Sequence, residues 1–263
     1  MLYIFIILVA VLNLASKSIF NAHPVSSSMS KTVYMWYYLP NEEGEQPQPM
    51  EKAEYIKNYD VLYVGAPEEK VIYLTFDDCP DNDNIPIILD TLKKHSATGA
   101  FFMTETYIRR HPDVINRIVS EGSLVCNHTA NHVLVTNLSF EKFQAELKGV
   151  EDAYFEVTGK QLPKYFRPPQ GQFNEVTLSY TEQLGYTTVF WSFRYTDWDV
   201  NNQISEQAAY NTIMNETHPG MIVLLHCQSK TNLKILDKIM TDWEAQGYIF
   251  ETLDNAPNSY LPV

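Results

Sequence analysis

The sequence predicts an α/β fold built on a parallel sheet, and three observations point there. From Val71 onward, short apolar runs alternate with longer segments of helical period, the pattern of repeated βα units. The helical segments are punctuated: Ser139 and Asn174 precede two of them, and Gly122, Gly159, Gly185 and Gly247 follow others. Polar residues that fit neither period gather just after the apolar runs, where parallel α/β sheets carry their chemistry.

The chain opens with LYIFIILVAVLNLA, about fourteen largely apolar residues broken by Asn13. A membrane span needs roughly 20, so this run has the length of a signal-peptide core, although no basic residue precedes it. Residues 1–20 are expected to be a signal peptide, cleaved after a small residue such as Ser18, or a retained anchor that includes Ile19 and Phe20. Either way the bulk of the chain is expected to work outside the cytoplasm. Residues 21–68 carry Pro, Glu, Gln and Asn with scattered aromatics and no sustained period. They read as an N-terminal arm or linker lying on the main domain through Trp36, Tyr37 and Tyr38.

The predicted strands are VIYLTF (71–76), GAFFMT (99–104), SLVC (123–126), YFR (165–167), TTVFWS (187–192), MIVLLH (221–226) and YIFE (248–251). Helices are predicted near 85–95, 111–120, 139–158, 174–184, 205–215 and 232–246. Seven such repeats suit either a closed, irregular β/α barrel or an open doubly wound sheet.

Composition narrows the function. The 263 residues are 45% hydrophobic, enough for one large core. The formal net charge is −13 with no Lys/Arg-rich run, which disfavours nucleic acid and suits an uncharged or locally neutral polymer. Cys79, Cys126 and Cys227 are odd in number and lack zinc-site spacing, so they are expected to be small buried residues at strand ends rather than disulfides.

In TFDDCP, Asp77 and Asp78 can share a site only if the strand has turned into a loop, because neighbouring strand residues face opposite ways. In NHTANH, His128 and His132 stand four apart, a spacing at which a helical turn or tight loop presents two imidazoles to one ion. Two histidines and one carboxylate form a ligand set for catalytic zinc, leaving the other carboxylate to take a proton from water. His226, closing the apolar MIVLLH, suits the acid that amide hydrolysis requires, with Asp197 to raise its pKa. Arg167, before two prolines, is expected to orient Asp77 through a bidentate pair.

Assembled in this order, TFDDCP (75–80), HTANH (128–132), RPPQG (167–171), TDW (196–198) and LLH (224–226) resemble the polysaccharide deacetylases of the NodB-homology type, carbohydrate esterase family 4. The resemblance covers about 69–257, leaves 258–263 as a tail, and implies a distorted (β/α) barrel of seven or eight parallel strands with an N-terminal extension. It implies Asp77 as base, Asp78, His128 and His132 as ligands of a divalent metal (zinc, with cobalt or manganese as alternatives), and His226 as acid. It further implies that Arg167 and Asp197 tune base and acid, that the Gln170 backbone binds the oxyanion, and that Trp198 and Leu224 shape the acetyl pocket.

The stretches RPPQGQFNE, GYTTVFWSFRYTDWDVNNQ and HPGMIVLLHCQSKTNLKILDK are most similar to the N-acetylmuramic acid deacetylases of spore formers, which prepare muramic δ-lactam. The implied partner is then peptidoglycan glycan strands in the cell wall or spore cortex. Three positions depart from the family pattern: Cys79 for glycine, Gln170 for a frequent tyrosine, and Arg194 where many members carry aspartate. The alternatives are a deacetylase of N-acetylglucosamine, chitin or acetylated xylan, or a low-turnover wall-binding protein in which Cys79 and Arg194 crowd the pocket.

Overall fold

The computed structural model describes residues 26–40, 44–50, 52–77 and 84–257. The amino-terminal apolar run, Asp78, Cys79 and the carboxy-terminal tail therefore lie outside the described residues. Among the described residues, no helix is long and apolar enough to cross a membrane.

The arm carries β1 (Tyr34–Met35), β2 (Tyr38–Leu39) and β3 (Gln48–Pro49), then a 3-10 turn at Glu54–Asn58 and β4 (Val61–Leu62). The repeats begin with β5 (Val71–Asp77), α1 (Asn84–Lys94), β6 (Gly99–Met103), α2 (Glu105–Arg110), α3 (Pro112–Ser120), β7 (Leu124–Asn127) and α4 (Phe140–Thr158). They continue with β8 (Tyr165–Phe166), β9 (Gln172–Phe173), α5 (Glu175–Gln183), β10 (Thr187–Val189), β11 (Phe193–Arg194), α6 (Glu206–Asn215), β12 (Met221–His226), α7 (Lys230–Ala245) and β13 (Ile249–Phe250).

The main sheet runs β11-β12-β5-β6-β7-β8-β10-β4, with β13 added beside β5. Neighbours are parallel and the sheet curls into a half-barrel. Alternation along β5 shows its two faces: Val71 and Tyr73 enter the interior cluster, while Ile72, Leu74 and Phe76 pack with the helices. The interior face therefore also takes Thr75 and Asp77. The strand extends one residue past its predicted end, and Asp77 pairs in register with His226 and Phe102.

Local signals hold where the sequence is periodic. Ser139 Oγ accepts from the Lys142 N–H at 3.4 Å, and Asn174 closes a capping box with Thr177. Two features differ from the sequence reading. TTVFWS is a strand only over Thr187–Val189 and a separate strand follows it at Phe193–Arg194, because Phe190 N–H still donates to Leu62 O at 2.8 Å whereas Ser192 N–H donates to Ile222 O at 3.0 Å. The chain changes neighbour within three residues.

The described part of 21–68 is also no mere linker. Ala53, Ile56 and Val61 are at most 1% exposed, and β4 is the sheet's edge strand beside β10. Two-residue strands have no period to read, which is why this packing is invisible in the sequence. Past β4 the chain crosses to β12, where Gly65 N–H donates to Gly220 O at 2.6 Å. A Cβ on Gly220 would sit 2.6 Å from the Gly65 carbonyl carbon, and Gly220 is at φ +68, so glycine is required at this crossing.

Candidate active site

The end of β5 carries the centre of the site. Arg167, fully buried after β8, sends Nη1 to Asp77 Oδ1 at 2.6 Å and Nη2 to Thr75 Oγ1 at 2.9 Å. Its remaining N–H groups donate to the carbonyls of Val189 and Phe190, and its guanidinium lies 4.1 Å over the Phe102 ring. The expected bidentate pair is therefore replaced by a single-pronged one, because the second nitrogen is drawn to Thr75 on the same strand face. Burial pushes the Asp77 carboxyl up, but the charge and hydrogen bond of Arg167, with the nearby imidazole of His226, outweigh it and hold the group below the ordinary carboxylate range.

The two histidines sit on a tight loop after β7, not on a helical turn. Thr129 and His132 are both left-handed, at φ 68 and φ 53. The loop is tied down by Asn127 Oδ1, which accepts from Thr129 N–H, and by Glu146 of α4, whose carboxylate accepts from Asn131 N–H and Nδ2 at 3.0 Å each. His128 Nδ1 lies 2.7 Å from Arg167 O; a carbonyl only accepts, so Nδ1 carries the proton and Nε2 the lone pair. That Nε2 is 3.8 Å from Asp77 Oδ2, and the two imidazole rings are 5.0 Å apart. Burial pushes His128 down to about 4 and lowers His132 as well, so both rings are neutral at neutral pH.

Across the cleft, β12 ends in His226. Its Nδ1 lies 2.7 Å from Asp197 Oδ1, while its backbone N–H and Asn232 Nδ2 both donate to Asp197 Oδ2. Asp197 is 1% exposed, and Asn232 is in turn bonded to the Tyr195 hydroxyl. Burial disfavours the charged imidazole, yet the hydrogen bond and charge of Asp197, with the charge of Asp77, raise its pKa. With Nδ1 given to Asp197, Nε2 is the atom left for substrate.

These groups share one cleft of about 940 Å³. Of the residues singled out in the sequence, Asp77, His128, His132, Gln170, Trp198, Leu224 and His226 line it; Arg167 and Asp197 stand behind Asp77 and His226. Asp78 lies outside the described residues. Cys126 and Cys227 are at most 1% exposed, and burial raises the Cys126 thiol.

The sequence reading missed several parts of the wall: Thr104, Thr106, Tyr107 and Arg110 at the start of α2 and along it, Trp191, and Met35 from the arm. Trp36, foreseen only as a docking residue, holds the loop that carries Gln170. Its N–H donates to Gly171 O at 2.8 Å, its indole Nε1 donates to Trp191 O at 2.9 Å, and its ring stacks on Phe190 at 4.5 Å. Gln170 itself is left-handed at φ 58. A Cβ on Gly171 would lie 2.6 Å from the Trp191 ring, so glycine lets the loop close onto that wall.

The donor chemistry fits a divalent metal. His128 and His132 are neutral and close together, His128 buried and His132 exposed to the cleft, and the Nδ1 bond of His128 to a backbone carbonyl is the arrangement that aims a metal-ligating imidazole. Among the described residues, no group of three or more His, Cys, Asp or Glu side chains is placed to hold an ion. Two donors are present, and the expected third, Asp78, is not among the described residues.

Comparison with known proteins identifies the family and the fold. The sequence pattern described as polysaccharide deacetylase matches residues 64–189. The chain is 42% identical over 218 residues to the peptidoglycan-N-acetylmuramic acid deacetylase PdaA of Bacillus subtilis, covering 83% of this chain and 81% of that protein. It is 34% identical over 189 residues to a peptidoglycan-N-acetylglucosamine deacetylase of Bacillus cereus, covering 70% and 87%. The solved structure of Bacillus subtilis PdaA, a family 4 carbohydrate esterase, superposes with a TM-score of 0.83 at 38% identity, over 86% of this chain and 97% of that one.

Proposed function

The chain belongs to the polysaccharide deacetylase family, and from that premise we propose that it hydrolyses the N-acetyl group of N-acetylmuramic acid in peptidoglycan. One observation carries the proposal: a single cleft holds a buried carboxylate whose pKa an arginine lowers and, opposite it, an imidazole whose pKa a second carboxylate raises. Their environments push the two pKa values apart, which divides the work of base and acid.

Asp77 is the base. It takes one proton from the water whose oxygen forms the new bond to the acetyl carbon. His226 is the acid, giving a proton from Nε2 to the sugar nitrogen as the C–N bond breaks, so acetate and a free amine leave. Arg167 keeps Asp77 in its ionised form, and Asp197 favours the charged form of His226 and keeps its Nε2 turned toward the cleft. The backbone N–H of Gln170 is the donor for the developing oxyanion. Leu224 bounds the methyl group and the exposed Trp198 offers a face for the sugar ring. A divalent ion, with zinc the best match to the donors and cobalt or manganese as alternatives, would be held by Asp78, His128 and His132 and would supply Lewis-acid polarisation and an acidic water.

The substrate places the enzyme outside the cytoplasm, secreted or anchored, at the cell wall or spore cortex. There the freed amine can condense with the sugar's own lactyl carboxylate into a δ-lactam. A second reading, removal of acetyl from N-acetylglucosamine, is favoured by the identity to the Bacillus cereus protein. Mass spectrometry of glycan strands digested by the purified protein, with zinc or cobalt supplied, decides between them. Deacetylated muramic residues are expected; acetate release from neither sugar would overturn both readings.

A further inference from the structure

We infer that Arg194 reads the lactyl carboxylate of N-acetylmuramic acid and thereby sets the choice of muramic over glucosamine residues; the inference rests on the function proposed above. The two sugars differ at O3, where muramic acid carries a lactyl ether ending in a carboxylate. Discrimination therefore needs a cation beside the acetyl pocket.

The fold puts one there. Arg194 pairs in register with Leu224 of β12, and Leu224 pairs in turn with Thr75 of β5. Its neighbour Phe193 is buried in the helix-side core, so alternation turns Arg194 to the opposite face, where it lines the cleft. Strands lie about 4.8 Å apart, so Arg194 starts roughly 10 Å from β5. That gap suits an extended arginine meeting a substituent on the carbon next to the acetamido group.

The backbone at this point is fixed while the side chain is uncommitted. Arg194 N–H donates to the Tyr38 hydroxyl at 3.2 Å, and that hydroxyl donates to Glu216 at 3.2 Å, so the arm anchors the strand. The guanidinium has no hydrogen bond or ion pair among the described residues, and lies 6.0 Å from the Trp191 ring. Arg109, Arg117 and Arg167 all have carboxylate partners. In a chain of net charge −13, Arg194 is exposed and keeps no carboxylate partner among the described residues. Among the described residues lining the cleft, the only carboxylate is Asp77, which Arg167 already matches. On the same wall, the buried indole N–H of Trp191 lacks a partner, a second donor that a polar ligand would satisfy.

The test measures acetate release from muramic and glucosamine residues in glycan stripped of peptide stems, for wild type, Arg194→Met and Arg194→Lys. In Arg194→Met the muramic-to-glucosamine ratio of kcat/KM is expected to fall about ten- to hundredfold, mostly through KM, the loss of one charge-assisted pair. Arg194→Lys should recover part of it. Methyl-esterifying the lactyl carboxylate should cost the wild type the same factor and Arg194→Met nothing further. Unchanged discrimination in Arg194→Met, or equal processing of acid and ester by the wild type, would overturn the role of Arg194 while leaving the muramic reading intact. A wild type that deacetylates glucosamine residues alone would instead overturn the proposed function, and this inference with it.

Discussion

On the cleft floor, Arg167, His128 and Asp77 are 0%, 2% and 7% exposed, and each is held by named bonds to strands or backbone carbonyls. On the rim, Met35 and Trp198 are 51% and 53% exposed, and Arg194 is exposed and without an ion pair among the described residues. The floor is rigid because burying charge is tolerable only when every partner is present. The rim is open because it must exchange protein contacts for substrate contacts. Changes to the floor should therefore act on kcat and stability, and changes to the rim on KM and substrate choice.

The strongest way to break this contrast is on the floor. Asp77→Asn keeps the shape and removes the proton acceptor, and kcat for acetate release is expected to fall by about 10²–10⁴-fold. Steady-state kinetics checks it, and turnover within tenfold of wild type would exclude Asp77 from proton transfer. Arg167→Met leaves the Asp77 charge buried without its partner, so a stability loss of about 3–5 kcal/mol is expected in urea denaturation.

A subtler change separates the two poles of the floor. The raised pKa of His226 keeps its acid form present above 6.5, the ordinary imidazole value, and activity should decline as pH rises through the raised value. In Asp197→Asn burial becomes the main influence on that imidazole, so the alkaline limb of the kcat/KM profile should move to lower pH. The sign for stability is the same. A group raised on folding contributes fully below its unfolded pKa and loses that contribution as pH rises through the folded one, so the stability gap between wild type and His226→Gln should shrink above pH 6.5. An alkaline limb unmoved in Asp197→Asn would mean that Asp197 does not set the acid.

The smallest expected effect sharpens the description of the rim. Trp36→Phe keeps the stack on Phe190 and removes the indole bond to Trp191 O. The expected cost is about 1 kcal/mol, roughly 2–4 °C in Tm, with kcat lowered a few-fold as the loop carrying the Gln170 oxyanion donor loosens. An unchanged kcat would mean that the arm does not act through that donor.

The repeats of the domain were legible in the sequence because their signals are local. Ser139 and Asn174 cap helices through bonds three residues away, and Gly159 and Gly247 stop them at φ 68 and φ 84. The polar residues at the strand ends were legible for a related reason: they interrupt an apolar period. What was not legible came from contacts distant in sequence. Two-residue strands such as β4 show no period, Thr75 looked like an ordinary strand residue until Arg167 reached it across 92 positions, and Asn232 was one more polar residue of a helix before it met Asp197.

The sequence alone thus determined the alternation of the main strands and helices from Val71 onward, the caps of several helices, and the kinds of groups available for chemistry, since each follows from neighbours a few residues away. Tertiary structure decided which oxygen of Asp77 takes the arginine, which nitrogens of His128 and His226 face the cleft, and which wall the arm completes. Those outcomes depend on how a curled parallel sheet brings remote strand ends within hydrogen-bonding distance, and no local periodicity encodes that distance.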